Sequence, residues 1–155
     1  AIQVFEEQNV YTKEELQARY EIKVTKYSKT IGIEARTALQ MAKRQILPAC
    51  LKYSTLLAQN IKAMENLVPA EILQPRQNFL NRYLSLLNSL EKAAMELEQK
   101  IAAIQNNEMD FYEEAVICRD GVLPIMNELR KFADTLETIT DQEYWPMPTY
   151  SDLIL

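Results

Sequence analysis

The stretch that decides the fold is residues 83–104, YLSLLNSLEKAAMELEQKIAAI. Its apolar residues recur in alternating steps of four and three, which places them on one face of an α-helix. They are Tyr83, Leu87, Leu90, Ala94, Leu97, Ile101 and Ile104. This seam is of the coiled-coil type and has to be covered by other helices. The pattern predicts a helix over residues 77–105 at the centre of a helical bundle.

The segment before this seam predicts a longer helical arm over residues 12–66. Its apolar residues step by three, four or seven positions: Leu16, Tyr20, Val24, Tyr27, Ile31, Ala35, Leu39, Ala42, Ile46, Tyr53, Leu57, Ile61 and Met64. Thr12 and Glu15 have the spacing of a capping box, in which each side chain accepts a hydrogen bond from the other residue's backbone N–H. We interpret residues 1–11 as a linker or as the end of a preceding helix.

Two residues are expected to interrupt this arm, Gly32 and Pro48. A proline inside a helix lacks one backbone hydrogen bond, and its ring crowds the carbonyl four residues earlier, here that of Arg44. We therefore expect the first helix to be kinked or split near Gly32 and Pro48. A wholly helical arm would be roughly 80 Å long at about 1.5 Å per residue. It would have to protrude from the domain or fold back near Gly32.

The remaining patterns complete an all-α fold. Residues 68–75, VPAEILQP, hold two prolines six positions apart, which favours a loop between antiparallel helices. Residues 108–140 carry a third apolar stripe, with Gly121 and Pro124 as a second internal kink. Together the patterns predict one domain, an up-and-down bundle of three long helices with an extended C-terminal tail.

The predicted tail covers residues 142–155. Prolines disfavour helix at the residues before them, and the only tryptophan stands where the third helix stops. The tail is either an aromatic anchor on the end of the bundle or a docking segment for another domain or subunit, because Trp and Tyr form good interfaces. The candidate structural or interface residues are Trp145, Pro146, Pro148 and Tyr150 in the tail, with Thr12, Glu15 and Pro48 in the arm.

The composition excludes most familiar active sites. The 155 residues include no histidine and only two glycines, so catalytic triads, His–Cys metal sites and glycine-rich phosphate loops have no candidates. A di-iron site in a helical bundle also needs histidine. Adjacent acids such as Glu113 and Glu114 point in different directions on a helix, and we expect them to be solvated. We assign no catalytic, cofactor-binding or metal-binding residue in this chain.

The two cysteines, Cys50 and Cys118, lie within helical apolar patterns. We interpret them as reduced thiols buried in the core, and a disulfide between them is the alternative. Arg119 could lower the pKa of the Cys118 thiol, but the sequence has no histidine to act as its base. A catalytic cysteine is therefore disfavoured.

Charge and hydropathy argue against nucleic acid and membrane as partners. The net charge is −5, and lysines and arginines are interleaved with acids rather than collected into a basic stripe. The longest apolar runs, such as residues 46–51, are far shorter than the roughly 18 residues of a membrane span. The first residues lack the basic and then apolar pattern of a secretory signal. We expect a soluble cytoplasmic protein.

Three blocks of the sequence resemble a known family. They are NVYTKEELQARYEI at 9–22, the stretch from IEA at 33–35 through MAKRQILPA at 41–49, and EYWPMPTY at 143–150. The blocks occur in the same order in the C-terminal helical region of type III glutamine synthetases, which are bacterial enzymes. The Ile-Leu-Pro-Ala and Trp-Pro-x-Pro elements are the most distinctive, whereas the heptads of the middle helix add little.

The resemblance implies that this chain is similar to the last fifth or so of an enzyme that joins ammonia to glutamate. The parent enzyme is expected to use ATP and Mg or Mn at sites in its preceding domains, so we expect this fragment alone to be inactive. Its expected partners are the preceding catalytic domain and neighbouring subunits of a homo-oligomer, a dodecamer by family resemblance. Its expected role is structural, through the kinked first arm and the Trp145 tail.

Two other hypotheses come from different classes. One is a free-standing cytoplasmic helical bundle that acts as an interaction or sensor module and binds a partner helix or a small ligand between its helices. The other is an enzyme in its own right, which the missing residue types disfavour.

Overall fold

The computed structural model describes residues 11–106 and 109–148, and within these ranges every regular element is helical. The elements are α1 (Lys13–Met41), π1 (Ala42–Ile46), α2 (Leu47–Met64), α3 (Ala70–Asn106), α4 (Phe111–Ile117), π2 (Cys118–Val122) and α5 (Leu123–Glu137). The π-helical segments π1 and π2 join their neighbours without a loop, so the elements form three rods, residues 13–64, 70–106 and 111–137. The prediction of an all-α fold with three long helices is confirmed.

Helix α3 is the centre of the bundle and contacts α1, α2 and α5. The predicted seam is confirmed, because five of its residues are buried: Tyr83, Leu87, Leu90, Ala94 and Leu97. Ile101 and Ile104 are partly buried and pack against this core. The first rod adds Ile31, Ala35, Ala42, Ile46 and Cys50, and the third adds Cys118, Val122, Leu129 and Leu136. Each fully buried leucine contributes roughly 1.5–3 kcal/mol, so this shared core is the main stabilising feature.

The first rod begins at the predicted capping box. The backbone N–H of Thr12 donates to Oε2 of Glu15 at 2.9 Å, and the N–H of Glu15 donates to Oγ1 of Thr12 at 3.2 Å. The guanidinium carbon of Arg19 lies 4.6 Å from the centre of the Tyr11 ring. Tyr11, the first residue that the structure describes, is therefore held against the second turn of α1.

Both interruptions that were expected at prolines take the form of π-helical turns. The segment π1 is followed directly by Leu47 and Pro48, and π2 is followed by Leu123 and Pro124. In π1 the N–H of Leu47 donates to the carbonyl of Ala42, five residues back. A wider turn of this kind accommodates a proline ring that would crowd the carbonyl of a regular α-helical turn.

The wider turn also keeps the buried side chains in line. In a regular α-helix with 3.6 residues per turn, residues spaced four apart drift steadily around the axis. Ala42, Ile46 and Cys50 follow one another at this spacing, yet all three are buried. Cys118 and Val122 have the same spacing and are also buried. Each π turn therefore lets the helix pass a proline without turning its apolar face away from the core.

The expectation of a break or fold-back at Gly32 is wrong, because α1 runs through it without interruption. A β-carbon built on Gly32 would have its nearest neighbour in the Arg36 guanidinium at 3.6 Å, which is ordinary contact. Glycine costs an α-helix about 1 kcal/mol relative to alanine. Burial of Ile31 and Ala35 on either side offsets that cost and keeps the helix continuous through the position.

The expectation of a loop over residues 68–75 is also wrong, because the second rod begins at Ala70 rather than at residue 77. Pro75 lies inside α3, where it removes the α-helical partner of one carbonyl, that of Glu71, in the exposed first turn. The connection is shorter than predicted and turns at Asn66, whose φ of 68° is a left-handed conformation that asparagine tolerates well. The third helix, predicted over 108–140, covers Phe111–Glu137 with its π turn.

Candidate docking groove

An open apolar groove of about 540 Å³ lies between the first rod, α5 and the tail. We call it the tail groove. Its apolar lining includes Met41 and Ile46 from the first rod, Met126 from α5, and Trp145, Met147 and Pro148 from the tail. Methionine side chains adapt to irregular partners. The lining is therefore of the kind that binds another apolar surface.

A compact turn after α5 brings Trp145 into this groove. The N–H groups of Tyr144 and Trp145 donate to the carbonyl of Asp141 at 2.9 and 3.1 Å. The Asp141 side chain accepts from the N–H of Glu143 at 3.0 Å, a local arrangement typical of Asx turns. The tail was predicted to be extended from residue 142, and this first part is a turn instead. The Trp145 side chain is only 7% exposed and belongs to the core.

A buried polar contact anchors the base of the tail. The Tyr83 hydroxyl and Oγ1 of Thr140 are 2.9 Å apart, and the Thr140 hydroxyl donates to the carbonyl of Leu136 at 2.7 Å. Because the one hydroxyl hydrogen of Thr140 is used there, Tyr83 is the donor to Thr140. The Cys50 thiol interacts with both side chains. We call Cys50, Tyr83 and Thr140 the tail anchor.

The tail anchor is neutral at physiological pH. Burial raises the pKa of the Cys50 thiol above its ordinary value, and its interactions with the Tyr83 and Thr140 hydroxyls only partly oppose this. Burial also raises the pKa of Tyr83. The Tyr53 ring packs 5.4 Å from the Tyr83 ring and 5.6 Å from the Tyr144 ring, measured between centres. This aromatic layer joins α2, α3 and the tail at one end of the bundle.

The polar part of the groove lining is mainly acidic. Glu34, Asp134 and Glu137 contribute carboxylates, and Arg130 contributes the one guanidinium of the lining. Arg130 and Asp134 form an ion pair at 3.8 Å. An apolar groove with acidic side chains around it is complementary to an apolar segment with basic flanks.

The described residues contain neither a metal-ligand cluster nor a membrane-spanning helix. In residues 11–106 and 109–148, no group of three or more His, Cys, Asp or Glu side chains is placed to hold a metal ion. In the same ranges, none of the helices is both long and apolar enough to cross a membrane. Cys50 and Cys118 are free and buried, so the interpretation as reduced core thiols is confirmed.

The structure brings only some of the predicted interface residues together. Trp145 and Pro148 both line the tail groove, whereas the Pro146 side chain is exposed. Pro48 is exposed at the start of α2, immediately after the π turn beside the groove. The capping box at Thr12 lies about 33 Å from the groove along α1, at about 1.5 Å per residue. Tyr150 lies outside the described residues.

The tail anchor was not predicted from the sequence. Tyr83 occupies a seam position, where a hydroxyl needs a partner if it is buried, and that was the available signal. Nothing in the sequence pattern identified Thr140, 57 positions away, as that partner. The adaptable methionines of the groove were also missed, because Met41, Met126 and Met147 come from three separate segments.

Comparison with known proteins supports the family resemblance along nearly the whole chain. Residues 1–65 match the family model described as the glutamine synthetase C-terminal domain. The chain is 31% identical to the type-3 glutamine synthetase of Dictyostelium discoideum over 99% of its own length and 21% of that protein. It is 28% identical to the glutamine synthetase of Butyrivibrio fibrisolvens over 99% of its own length and 22% of that protein.

A glutamine synthetase of Bacteroides fragilis is 25% identical over 95% of this chain and 21% of the relative. The chain therefore spans about a fifth of the length of each of these relatives. The family model covers the first two of the three blocks that resemble the family, and the relatives extend the similarity over the rods and the tail. These similarities identify the chain as a C-terminal domain of the glutamine synthetase family.

Proposed function

We propose that this chain is the non-catalytic C-terminal helical domain of a type III glutamine synthetase, and that it supports assembly of the parent enzyme through the tail groove. The observation that carries this proposal is the apolar groove of about 540 Å³ beside Trp145 and Met147. Apolar surface that stays open on a folded domain typically marks an interaction site. The groove joins the two parts of the chain for which we predicted an interface role, the first arm and the tail.

The finer family assignment rests on the relatives. The type III assignment is supported by the relative from Dictyostelium discoideum, whose name includes that type. A bacterial origin is supported by the relatives from Butyrivibrio fibrisolvens and Bacteroides fragilis. A free-standing module is not favoured, because each relative continues for about four fifths of its length beyond the part that this chain matches.

The parent enzyme is proposed to ligate ammonia to glutamate in the cytoplasm, with ATP and Mg or Mn. The described residues of this domain do not fit a metal site, since they hold no cluster of suitable ligands. We therefore derive no catalytic step from this chain and assign the reaction to the rest of the parent enzyme.

The proposed occupant of the tail groove is an apolar segment with basic flanks from a neighbouring subunit of a homo-oligomer, a dodecamer by family resemblance. The charge of the lining supports basic flanks, because Glu34, Asp134 and Glu137 outnumber Arg130. The position along α1 supports a neighbouring subunit. Glu34 lies about 35 Å from Tyr11, at about 1.5 Å per residue, so the groove is remote from the point where the described chain begins.

The test is Met147→Glu in the full-length parent enzyme. Met147 is partly buried and lines the groove, so the substitution adds a carboxylate to an apolar and already acidic site. We expect sedimentation velocity to show smaller species, while the circular dichroism of the helices is retained. The matched control is Met95→Glu, on α3, where the methionine is 57% exposed and does not line the groove. Assembly of the Met147→Glu enzyme to the same extent as the control would contradict the proposal.

The non-catalytic role has its own test. The purified 155-residue chain should form no glutamine from glutamate, ammonia and ATP in the presence of Mg or Mn. Turnover by this chain alone would show that the domain carries its own active site.

A further inference from the structure

A second exposed surface lies at the other end of α1. Tyr20 and Tyr27 from α1 and Tyr112 from α4 surround a shallow hollow of about 310 Å³. Their exposed fractions are 51%, 39% and 53%. Tyr20 and Tyr27 belong to the predicted apolar stripe of the arm, yet both are exposed. We call Tyr20, Tyr27 and Tyr112 the tyrosine patch.

The patch rests on a rigid base. Helices α1 and α4 contact each other, and the rings of Tyr20 and Phe111 pack edge to face with their centres 6.5 Å apart. Tyr20 and Tyr27 are seven positions apart on one helix, so their spacing is fixed by the backbone. Rigid tyrosines in a contiguous patch lose little conformational entropy on binding, which makes them frequent anchors of protein interfaces.

The charged side chains that line the hollow determine which partner surface is complementary to it. Lys23 and Arg119 both line it. Arg119 is already neutralised by Asp120, with Nε and Oδ1 2.7 Å apart. Lys23 is left as the charge that the hollow presents, so a complementary surface is apolar with a carboxylate opposite Lys23.

The position of the patch identifies where that surface comes from. Tyr11 is held over Arg19, and Arg19 is the neighbour of Tyr20 in sequence. The described chain therefore begins beside the patch. The matching family model is a C-terminal domain, and the relatives are about five times as long as this chain, so the rest of the parent polypeptide joins at this end.

We propose that the tyrosine patch docks against the preceding part of the same polypeptide, on an apolar surface with a carboxylate opposite Lys23. This inference rests on the proposed function, because it takes the chain as the C-terminal domain of a longer synthetase. Attachment within one polypeptide raises the effective concentration of the partner surface, so a small patch is sufficient to hold the two parts together. The tail groove then remains available to a neighbouring subunit.

The experiment is photo-cross-linking in the full-length enzyme. Tyr112 is replaced by p-benzoylphenylalanine, and subunits grown in ¹⁴N and ¹⁵N media are mixed and assembled before irradiation. Mass spectrometry then separates cross-links within one chain from those between subunits, because only the latter combine the two labels. The same probe at Met95, which is 57% exposed, is the control for nonspecific capture.

We expect Tyr112 to cross-link to residues that precede this domain, in products with a single isotope label, and we expect the Met95 probe to give no such product. Mixed-label products from Tyr112, or yields no higher than those of Met95, would overturn the inference. A Tyr20→Ala and Lys23→Glu double variant should reduce the yield of the single-label product at least about tenfold, and an unchanged yield would also count against the inference.

The outcomes separate this inference from the proposed function. If Met147→Glu leaves assembly intact while Tyr112 gives single-label products, the assembly role of the groove fails and the docking of the patch stands. If Met147→Glu disrupts assembly while Tyr112 gives mixed-label products, the assembly role stands and the inference fails.

Discussion

Tyrosines lie at both ends of the bundle, but within residues 11–106 and 109–148 only the tail end is covered by a crossing segment. At the tail end Tyr83 is fully buried and hydrogen-bonded to Thr140, and Tyr53 packs between the rings of Tyr83 and Tyr144. At the other end Tyr20 and Tyr112 are about half exposed around a hollow. The same residue type, on the same kind of helical stripe, is core in one place and surface in the other.

The difference comes from the segment that crosses the tail end. The turn after α5 returns residues 139–145 over α2 and α3, and it contributes Thr140, Tyr144 and Trp145. No comparable segment among the described residues crosses the end of the bundle that holds Tyr20. A stripe of apolar residues therefore predicts a face that needs a partner, and a separate segment decides whether that partner belongs to the same domain.

The largest effect is expected from Tyr83→Ala, which removes the buried aromatic ring at the centre of the covered end. Truncating a large buried aromatic ring leaves a cavity that its neighbours cannot fill, which costs about 3–5 kcal/mol. Urea denaturation of the 155-residue chain, followed by circular dichroism, measures the change in the free energy of unfolding. A loss below about 1 kcal/mol would show that the Tyr83 ring is not part of a packed core.

The substitution Tyr83→Phe removes the hydroxyl and keeps the ring, so it measures the contribution of the hydroxyl to stability. The ring contacts with Tyr53 and Phe79 remain, and Thr140 keeps its hydrogen bond to the carbonyl of Leu136. Only the hydrogen bond from Tyr83 to Thr140 is lost, so the expected cost is about 1 kcal/mol. If Tyr83→Phe were as destabilising as Tyr83→Ala, the polar contact rather than the aromatic packing would hold the tail.

A second prediction concerns alkaline pH. Burial raises the pKa of the Cys50 thiol above its ordinary value of 9.0, and it does the same for Cys118. The unfolded chain releases these protons near pH 9 while the folded chain keeps them, so the unfolded state binds fewer protons above that pH. The free energy of unfolding should therefore be constant up to about pH 8 and fall above pH 9, by up to about 1.4 kcal/mol per pH unit for each thiol.

Urea denaturation between pH 7 and pH 10 measures this loss of stability. A Cys50→Ala and Cys118→Ala double variant should be less stable at pH 7 but should lose less stability between pH 9 and 10. The buried tyrosine Tyr83, whose ordinary pKa is 10.0 and is raised in the fold, adds a further decline at higher pH. Equal pH slopes for the parent chain and the double variant would contradict the assignment of this decline to the thiols.

The fold was predictable from the sequence wherever a helical stripe is long. The seam of α3 and the capping box at Thr12 were found because both depend on residues a few positions apart. The interruptions were predicted less well. Proline marked both π turns, but Pro75 causes none and Gly32 lies in a regular helix.

The explanation is that a π turn needs more than a proline. Pro48 and Pro124 each stand two positions after a buried residue, Ile46 and Val122, so the helix must keep its apolar face on the core while it passes the ring. Pro75 lies in the exposed beginning of α3, where the residues of the preceding turn are not part of the core. The sequence shows where a proline disturbs the helix. Whether a π turn forms there depends on the packing between the rods.

The candidate sites were predictable only in part, for the same reason. Trp145 and Pro148 were identified as interface candidates from the tail alone, and both line the groove. The other wall, from Met41 to Ile46, and the partner of Tyr83 come from positions distant in sequence. Contacts of this kind have no local signature in a single sequence.

The third prediction tests whether α1 is rigid between the two ends of the bundle. Gly32 lies in the middle of a continuous helix with space for a β-carbon, so Gly32→Ala should stabilise the chain by about 0.8–1.0 kcal/mol. The midpoint of thermal unfolding gives the sign of the change. Destabilisation would indicate that Gly32 is a hinge, and the distances along α1 between the tyrosine patch and the tail groove would then vary.

The smallest effect is expected at the uncovered end, from Tyr112→Ala in the 155-residue chain. Tyr112 is 53% exposed, and truncating an exposed side chain away from caps and buried networks changes stability by less than about 0.5 kcal/mol. The same denaturation experiment as for Tyr83→Ala makes the two ends directly comparable. A loss of more than about 2 kcal/mol would mean that Tyr112 is held within the domain itself. In that case the two ends would not differ as described, and the tyrosine patch would have no free surface to offer another part of the enzyme.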